Sequence, residues 1–241
     1  MYLDELSTNE FKKRINKNTV VILPVGIIEE HGAALPLCTD SLQAEHVAKR
    51  VAEKIKGYIL PPIRYGVCSS TKNFPGSISL SFDSMRNLVY DVFSELARNN
   101  VRKIVVISGH AGRMHMSAIR LAAEKIVEDA ELKNVKILVL SDYELLYEEK
   151  GRKFLKRIGI PEWDAHGGAI ETSRVMISRP DLVKQKGKKS LPKIPKYHVL
   201  RNPEKYFLEG IIGDPSAASK NKGEKITDWV VKEIVRLIRE M

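Results

Sequence analysis

Cysteine is nearly absent: 241 residues hold two, Cys38 and Cys68, and neither belongs to a CxxC pair. There is thus no disulfide framework and no paired-thiolate metal motif, and both residues are expected as reduced, partly buried thiols. No apolar run approaches the roughly 20 residues that cross a bilayer. The N-terminal MYLDELSTNEFKKR also lacks the basic-then-apolar order of a secretory signal. The expectation is a cytoplasmic protein without a membrane partner. Internal repeats and low-complexity tracts are missing too. The formal net charge is +10, and much of the excess sits in LVKQKGKKSLPKIPKYHVLRNPEK. That stretch lacks the interleaved aromatics that stack bases. A solvated basic loop is the plainest expectation, attraction of an anionic substrate comes next, and nucleic-acid binding last.

What is present is enough apolar residue, 43% of the chain, for a sizeable core. Strand and helix patterns alternate. Val20–Gly26, Tyr58–Pro61, Lys103–Ser108 and Val135–Ser141 read as strands. Ser41–Lys56, a segment beginning near Asp83 and running through Leu88–Ala97, Met114–Val127, Ala169–Ile177 and Thr227–Glu240 read as helices. The strands show little period-two alternation, which fits burial on both faces. Alternation of this kind predicts a mostly parallel sheet between helices, a three-layer α/β/α fold. Three long connections, Pro61–Ser81, Glu144–Gly167 and Pro180–Ala217, interrupt it without a clear linker, so one domain over residues 1–241 is expected.

The chemistry-bearing residues cluster at predicted strand ends, where open parallel sheets bind ligands. GIIEEHGAALPLCTD follows the first strand and carries Glu29, Glu30, His31 and Asp40. His110 follows the Lys103–Ser108 strand. If the two strands are neighbours, both clusters share one rim of the sheet. Glu29 and His31 are two apart, so extended backbone turns both to one side and Glu30 to the other. Two histidines with several carboxylates suit zinc, manganese or ferrous iron, and Asp40 has oxygens enough to bridge two cations. A third stretch, WDAHGGAIETS, places His166 before two glycines and Glu171 inside the next helix. The plainer alternatives are hydrogen-bonded structural histidines and a helix entry capped by Asp164 or His166.

Five stretches in order resemble the creatininase (creatinine amidohydrolase) family: GIIEEHGAALPLCTD, FPGSISL, SGHAGR, HGGAIETS and GDPSAASKNKG, spanning about Val20 to Gly223. The resemblance implies a metal hydrolase of non-peptide or cyclic amide bonds, with two divalent ions per subunit. By position, Glu29, Asp40 and His110 would hold one ion, while His31 and the shared Asp40 would hold the other. His166 falls on the family's catalytic histidine, and Glu30 is a second candidate for supplying a proton. Creatinine hydrolases place a glutamate two residues after the histidine matching His110; here that position is Gly112, and Glu171 is the candidate replacement ligand. Ser108 and Arg113 depart from the family's asparagines. SGHAGRMHM looks similar to the archaeal branch that removes formate from a formamidopyrimidine ribosyl 5′-phosphate, early in riboflavin and deazaflavin-coenzyme biosynthesis.

That branch implies ferrous iron as the favoured metal, with zinc or manganese as alternatives, and a homo-oligomer. It also implies a phosphorylated pyrimidine nucleotide as substrate, met by Arg113, Lys72 and His115, rather than a nucleic-acid partner. Arg113 at a helix start would suit a phosphate, although an exposed helix residue is nearly as good a reading. The rival substrates are creatinine itself or a peptide-like amide. The non-enzyme rival is a basic nucleic-acid-binding domain.

Overall fold

A computed structural model describes residues 1–184, 187–195, 197–207 and 209–241. Gln185, Lys186 and Lys196 of the basic stretch lie outside the described residues. Four strands form one parallel sheet: β1 (Val20–Val25), β2 (Tyr58–Ile59), β3 (Lys103–Ser108) and β4 (Lys136–Ser141), in the order β2-β1-β3-β4. β1 and β3 pair in register from Val20 opposite Lys103 to Val25 opposite Ser108. The chain therefore steps from β1 to one side and returns to the other. A topological switch point results between β1 and β3, where crossovers diverge and leave a crevice beyond the strand ends.

Alternate side chains divide the core into two layers. Ile22, Val105 and Ile107 pack with α2 (Thr39–Ile55), α7 (Ala169–Ser178) and α8 (Lys220–Arg239). Val21, Leu23, Val25, Ile104 and Val106 pack with α3 (Phe82–Arg98) and α4 (Arg113–Glu128) on the opposite face. Helix α3 shows why these segments fold as they do. Ser81 caps its start by accepting from the Ser84 backbone N–H at 3.1 Å, and Met85, Val89, Phe93 and Leu96 recur at helical spacing to form the buried stripe.

The expected helices and strands appear within a few residues of their predicted bounds, except that α8 begins at Lys220 rather than Thr227. Three helices were not anticipated: α1 (Thr8–Arg14), α5 (Asp142–Tyr147) and α6 (Glu149–Arg157). The last two occupy the connection read as Glu144–Gly167. All three are short, and α1 buries none of its residues, so hydrophobic periodicity carries little signal. Capping boxes do mark two of them, Ser7 with Glu10 and Ser141 with Glu144.

The packing of the α3 layer yields a stability prediction. Phe93 is fully buried, and Phe93→Ala should cost about 3–5 kcal/mol. Urea unfolding should show the loss as a lower midpoint with an unchanged m-value. An unshifted midpoint would contradict the described core.

Candidate metal centre

The crevice at the switch point is where the buried charge collects. Helix α2 begins against the ends of both central strands. A Cβ on Gly26 would lie 2.3 Å from the Ser41 backbone nitrogen, and one on Gly109 would lie 2.1 Å from the Asp40 carbonyl. Glycine at both positions permits the approach that carries Asp40 to the rim. Behind the first strand end, Glu29 and His31 turn inward. The ends of β3 and α7 bring in His110 and Glu171.

Distances show how the groups converge. His110 Nδ1 lies 3.0 Å from Glu29 Oε2 and 3.2 Å from Asp40 Oδ2. Neither carboxylate oxygen is aligned for a hydrogen bond, and both are buried without any other partner. On the other side, His31 Nε2 lies 3.1 Å from Asp40 Oδ1 and 3.6 Å from Glu171 Oε2. His31 Nδ1 meets the Glu29 carbonyl at 3.0 Å. In the neutral ring that contact would keep the proton on Nδ1 and leave Nε2 free for a cation, the arrangement typical of a metal-ligating histidine. Two groups able to hold a cation result, Glu29–Asp40–His110 and His31–Asp40–Glu171, with Asp40 giving one oxygen to each; a third combination joins Glu29, His31 and His166.

Glu29, Asp40 and Glu171 are each at most 2% exposed. Burial opposes charge on the histidines, yet the carboxylates prevail. Glu29 and Asp40 lift the His110 pKa to about 10, and Glu171 and Asp40 hold that of His31 well above its ordinary value. Conversely, burial would raise the Glu171 pKa, but His31 draws it down to about 2. His110, followed by His166, likewise holds that of Glu29 well below the carboxylate range against the effect of burial. Without a cation, protons on imidazole supply the positive charge that this carboxylate cluster requires.

A cavity of about 210 Å³ opens onto the cluster, lined by Glu29, Asp40, His110, His166 and Glu171, with Ser70, Thr71, Tyr143 and Phe207 among its walls. His166 is clamped by its backbone: its N–H donates to the Ile212 carbonyl at 2.9 Å and its carbonyl accepts from the Ile212 N–H at 2.7 Å. Its Nε2 donates to the Glu30 carbonyl at 2.9 Å and lies 3.3 Å from Glu30 Oε1. The larger groove beside α1, lined by Leu3, Phe11 and Leu96, lies away from this cluster.

Several expected roles change. Glu30 does not line the cavity. Its other carboxylate oxygen accepts from the Gly32 N–H at 3.0 Å, so it acts on His166 rather than on a ligand. His115, expected to touch substrate, is fully buried. It packs edge-on to His110 with ring centroids 5.1 Å apart, and burial together with the charge on His110 drives its pKa well below the ordinary value. A pattern of adjacent polar residues could not reveal that α4 turns His115 into the core. Lys72 and Arg113 are exposed and lie outside the cavity lining, next in sequence to Thr71 and Gly112, which line it. Asp164, whose carboxylate accepts from the Ala169 and Ile170 N–H groups at 2.7 and 2.9 Å, caps α7 as the plainer reading held. Sequence reasoning missed Thr71, Cys68 and Tyr143 at the site. Thr71 and Cys68 sit in an irregular connection with no periodic signal. Tyr143 sits in a helix marked only by its capping box.

The creatininase (creatinine amidohydrolase) family model matches residues 4–238. The chain is 32% identical to a creatinine amidohydrolase of Pseudomonas putida over 252 residues, covering 100% of this chain and 96% of that one. It is 27% identical to a mycofactocin precursor peptide peptidase of Mycolicibacterium smegmatis, covering 92% and 85%. Solved creatininase structures, one a manganese form and one a zinc–zinc form of a variant, superpose with TM-scores of 0.87 at 30% identity, covering 99% of this chain and 97% of each.

The protonated histidines give the sign of a pH effect. A cation needs neutral imidazole, so binding to the metal-free protein should release protons. Affinity for Mn²⁺ should therefore rise with pH until His110 titrates near 10. Calorimetric titration in buffers of different ionisation enthalpy measures the release. Binding without proton release at pH 7 would contradict this charge balance.

Proposed function

The chain belongs to the creatininase family, and we propose that it is a metal-dependent amidohydrolase that releases formate from a formamidopyrimidine ribosyl 5′-phosphate. The observation that carries the reading is the pair of histidine–carboxylate groups sharing Asp40 at the floor of a cavity that His166 also lines. The donor set fits divalent cations. Glu29 Oε2 and Asp40 Oδ2 are buried without hydrogen-bond donors, the His31 Nδ1 contact with the Glu29 carbonyl leaves Nε2 for a cation once its proton is released, and mixed nitrogen and oxygen donors suit ferrous iron, zinc or manganese. Glu29, Asp40 and His110 would hold one ion, and His31, Asp40 and Glu171 the other. Ferrous iron is our favoured occupant. When bound, such ions lower the pKa of water and polarise an amide carbonyl.

The rest of the chemistry falls to side chains. Because His166 Nε2–H is committed to Glu30, Nδ1 is the nitrogen free to take a proton from the attacking water and return it to the leaving amine. Attack forms the new C–O bond, and C–N cleavage then yields formate and the aminopyrimidine. Glu30 fixes the ring and favours its protonated state between the two transfers. The cavity of about 210 Å³ is at the small end for whole ligands. It suits the formamide and part of the pyrimidine, leaving the ribose phosphate over the rim, where Lys72 and Arg113 offer positive charge. A homo-oligomer working in the cytoplasm completes the proposal.

Creatinine hydrolysis is the second reading, favoured by the 32% identity to the Pseudomonas putida relative. Gly112 weighs against it. A Cβ there would lie 2.2 Å from His110 Nε2, so the His110 ring occupies the place where creatinine hydrolases carry a glutamate, and no side chain fits at 112 unless that ring moves.

Metal-free protein reconstituted anaerobically with Fe²⁺, Mn²⁺ or Zn²⁺ decides among substrates. Formate should appear from the formamidopyrimidine nucleotide, with little turnover of creatinine or a peptide amide. Preferred turnover of creatinine would transfer the assignment, and inactivity on all three would remove it. His166→Asn should lower kcat about 10²–10⁴-fold while leaving bound metal unchanged. Loss of metal in that variant would make His166 a ligand instead.

A further inference from the structure

The two carboxylate oxygens of Glu29 meet different groups. Oε2 faces His110 Nδ1 at 3.0 Å and has no hydrogen-bond donor. Oε1 is met by two side chains from the 61–81 connection: the Thr71 hydroxyl donates to it, and Cys68 Sγ lies 3.2 Å away. Cys68 Sγ and Thr71 Oγ1 are 2.6 Å apart, so the three groups form one closed set. Thr71 and Cys68 are each only 1% exposed. The segment is anchored to the returning chain. The Cys68 N–H donates to Ser79 Oγ at 2.9 Å, and the Leu80 N–H donates to the Gly66 carbonyl at 2.7 Å.

We infer that Thr71 and Cys68 are a positioning pair. They hold Glu29 Oε1 so that Glu29 offers only Oε2 to the cation shared with His110 and Asp40. The inference rests on the metal-hydrolase reading and deepens it. A carboxylate without outer partners can swing or present both oxygens to a cation. Two donors on one oxygen remove both options, and buried donors do so in a low-dielectric setting where their loss is felt strongly. Cys68 is not itself among the residues that converge as ligands: its sulfur lies against the oxygen of Glu29 facing away from His110, and the cation-holding groups do not include it. Thr71 also lines the cavity and precedes Lys72. One short segment thus ties the geometry of a ligand to the position of a rim cation.

The test compares Thr71→Val, Thr71→Ser and Cys68→Ala with the unmodified chain, all prepared metal-free. Each is titrated with Mn²⁺ by calorimetry, and bound Mn²⁺ is followed by electron paramagnetic resonance. Thr71→Val, which keeps shape and removes the donor, should bind Mn²⁺ about 10–100-fold more weakly with an altered spectrum. Thr71→Ser, which restores the hydroxyl, should recover most of that affinity. Metal-free thermal midpoints separate damage to the fold from damage to the ligand. Should Thr71→Val fail to fold, Cys68→Ala reads the same contact through a smaller loss, about threefold or more. Affinity and spectrum equal to those of the unmodified chain in both Thr71→Val and Cys68→Ala would overturn the inference alone. An unmodified chain that takes up no Mn²⁺, Zn²⁺ or Fe²⁺ would instead overturn the hydrolase reading beneath it.

Discussion

The site depends on the buried carboxylate of Asp40, which faces His31 with one oxygen and His110 with the other. An isolated carboxylate at that depth would be very costly. Asp40 is also not alone, since Glu29 and Glu171 are buried within the same few ångströms. Like charges packed this way are tolerated only when positive charge sits between them. In the metal-free protein that charge is a proton on each imidazole, which is why both histidines hold protons so tightly. Divalent ions would supply the same charge more completely and release those protons. The electrostatics thus make cation binding and the integrity of the rim one problem rather than two.

The surroundings extend that logic. Arg174 and Asp142 form a buried ion pair at 2.5 Å behind the cluster. Asp142 still has its pKa raised, by burial first and then by the nearby Asp40 and Glu171 against the pull of Arg174. Residues that hold the cluster in shape are therefore charged as well, and the polar interior reaches from the β1 rim to the start of α5. Such a network is sensitive to the loss of any single partner, because each member leaves another charge uncompensated.

Much of this is legible in the amino-acid sequence. The strands are apolar runs, and their lack of alternation gave a doubly covered parallel sheet. Glu29, His31, Asp40 and His110 were brought to one rim by a single condition, adjacency of β1 and β3, which the pairing satisfies. Glu171 could be suspected only from the family pattern, since nothing local in AIETS distinguishes a ligand from a helix residue. Side-chain direction was harder. From the sequence Glu30 reads as a candidate proton donor, and His115 as a substrate contact only through the family resemblance. Yet Glu30 turns to Gly32 and His166, and His115 turns into the core. Thr71 and Cys68 were invisible as site residues because their positions depend on how an irregular segment folds back across Glu29, which no periodicity encodes.

That difference in legibility follows the division of labour in the fold. The cluster sits on strand ends and helix starts, held by register and by the glycines that let α2 approach. It can stay fixed while the 61–81 connection beside it varies. Relatives named for creatinine and for a peptide substrate match this chain in sequence over 100% and 92% of its length, so one family carries names for different substrates. In this chain Gly112 lies close under the His110 ring, and the exposed cations Lys72 and Arg113 follow Thr71 and Gly112 of the cavity lining. Thr71 is where connection and cluster meet, because the loop residue that lines the cavity also donates to a carboxylate of the cluster.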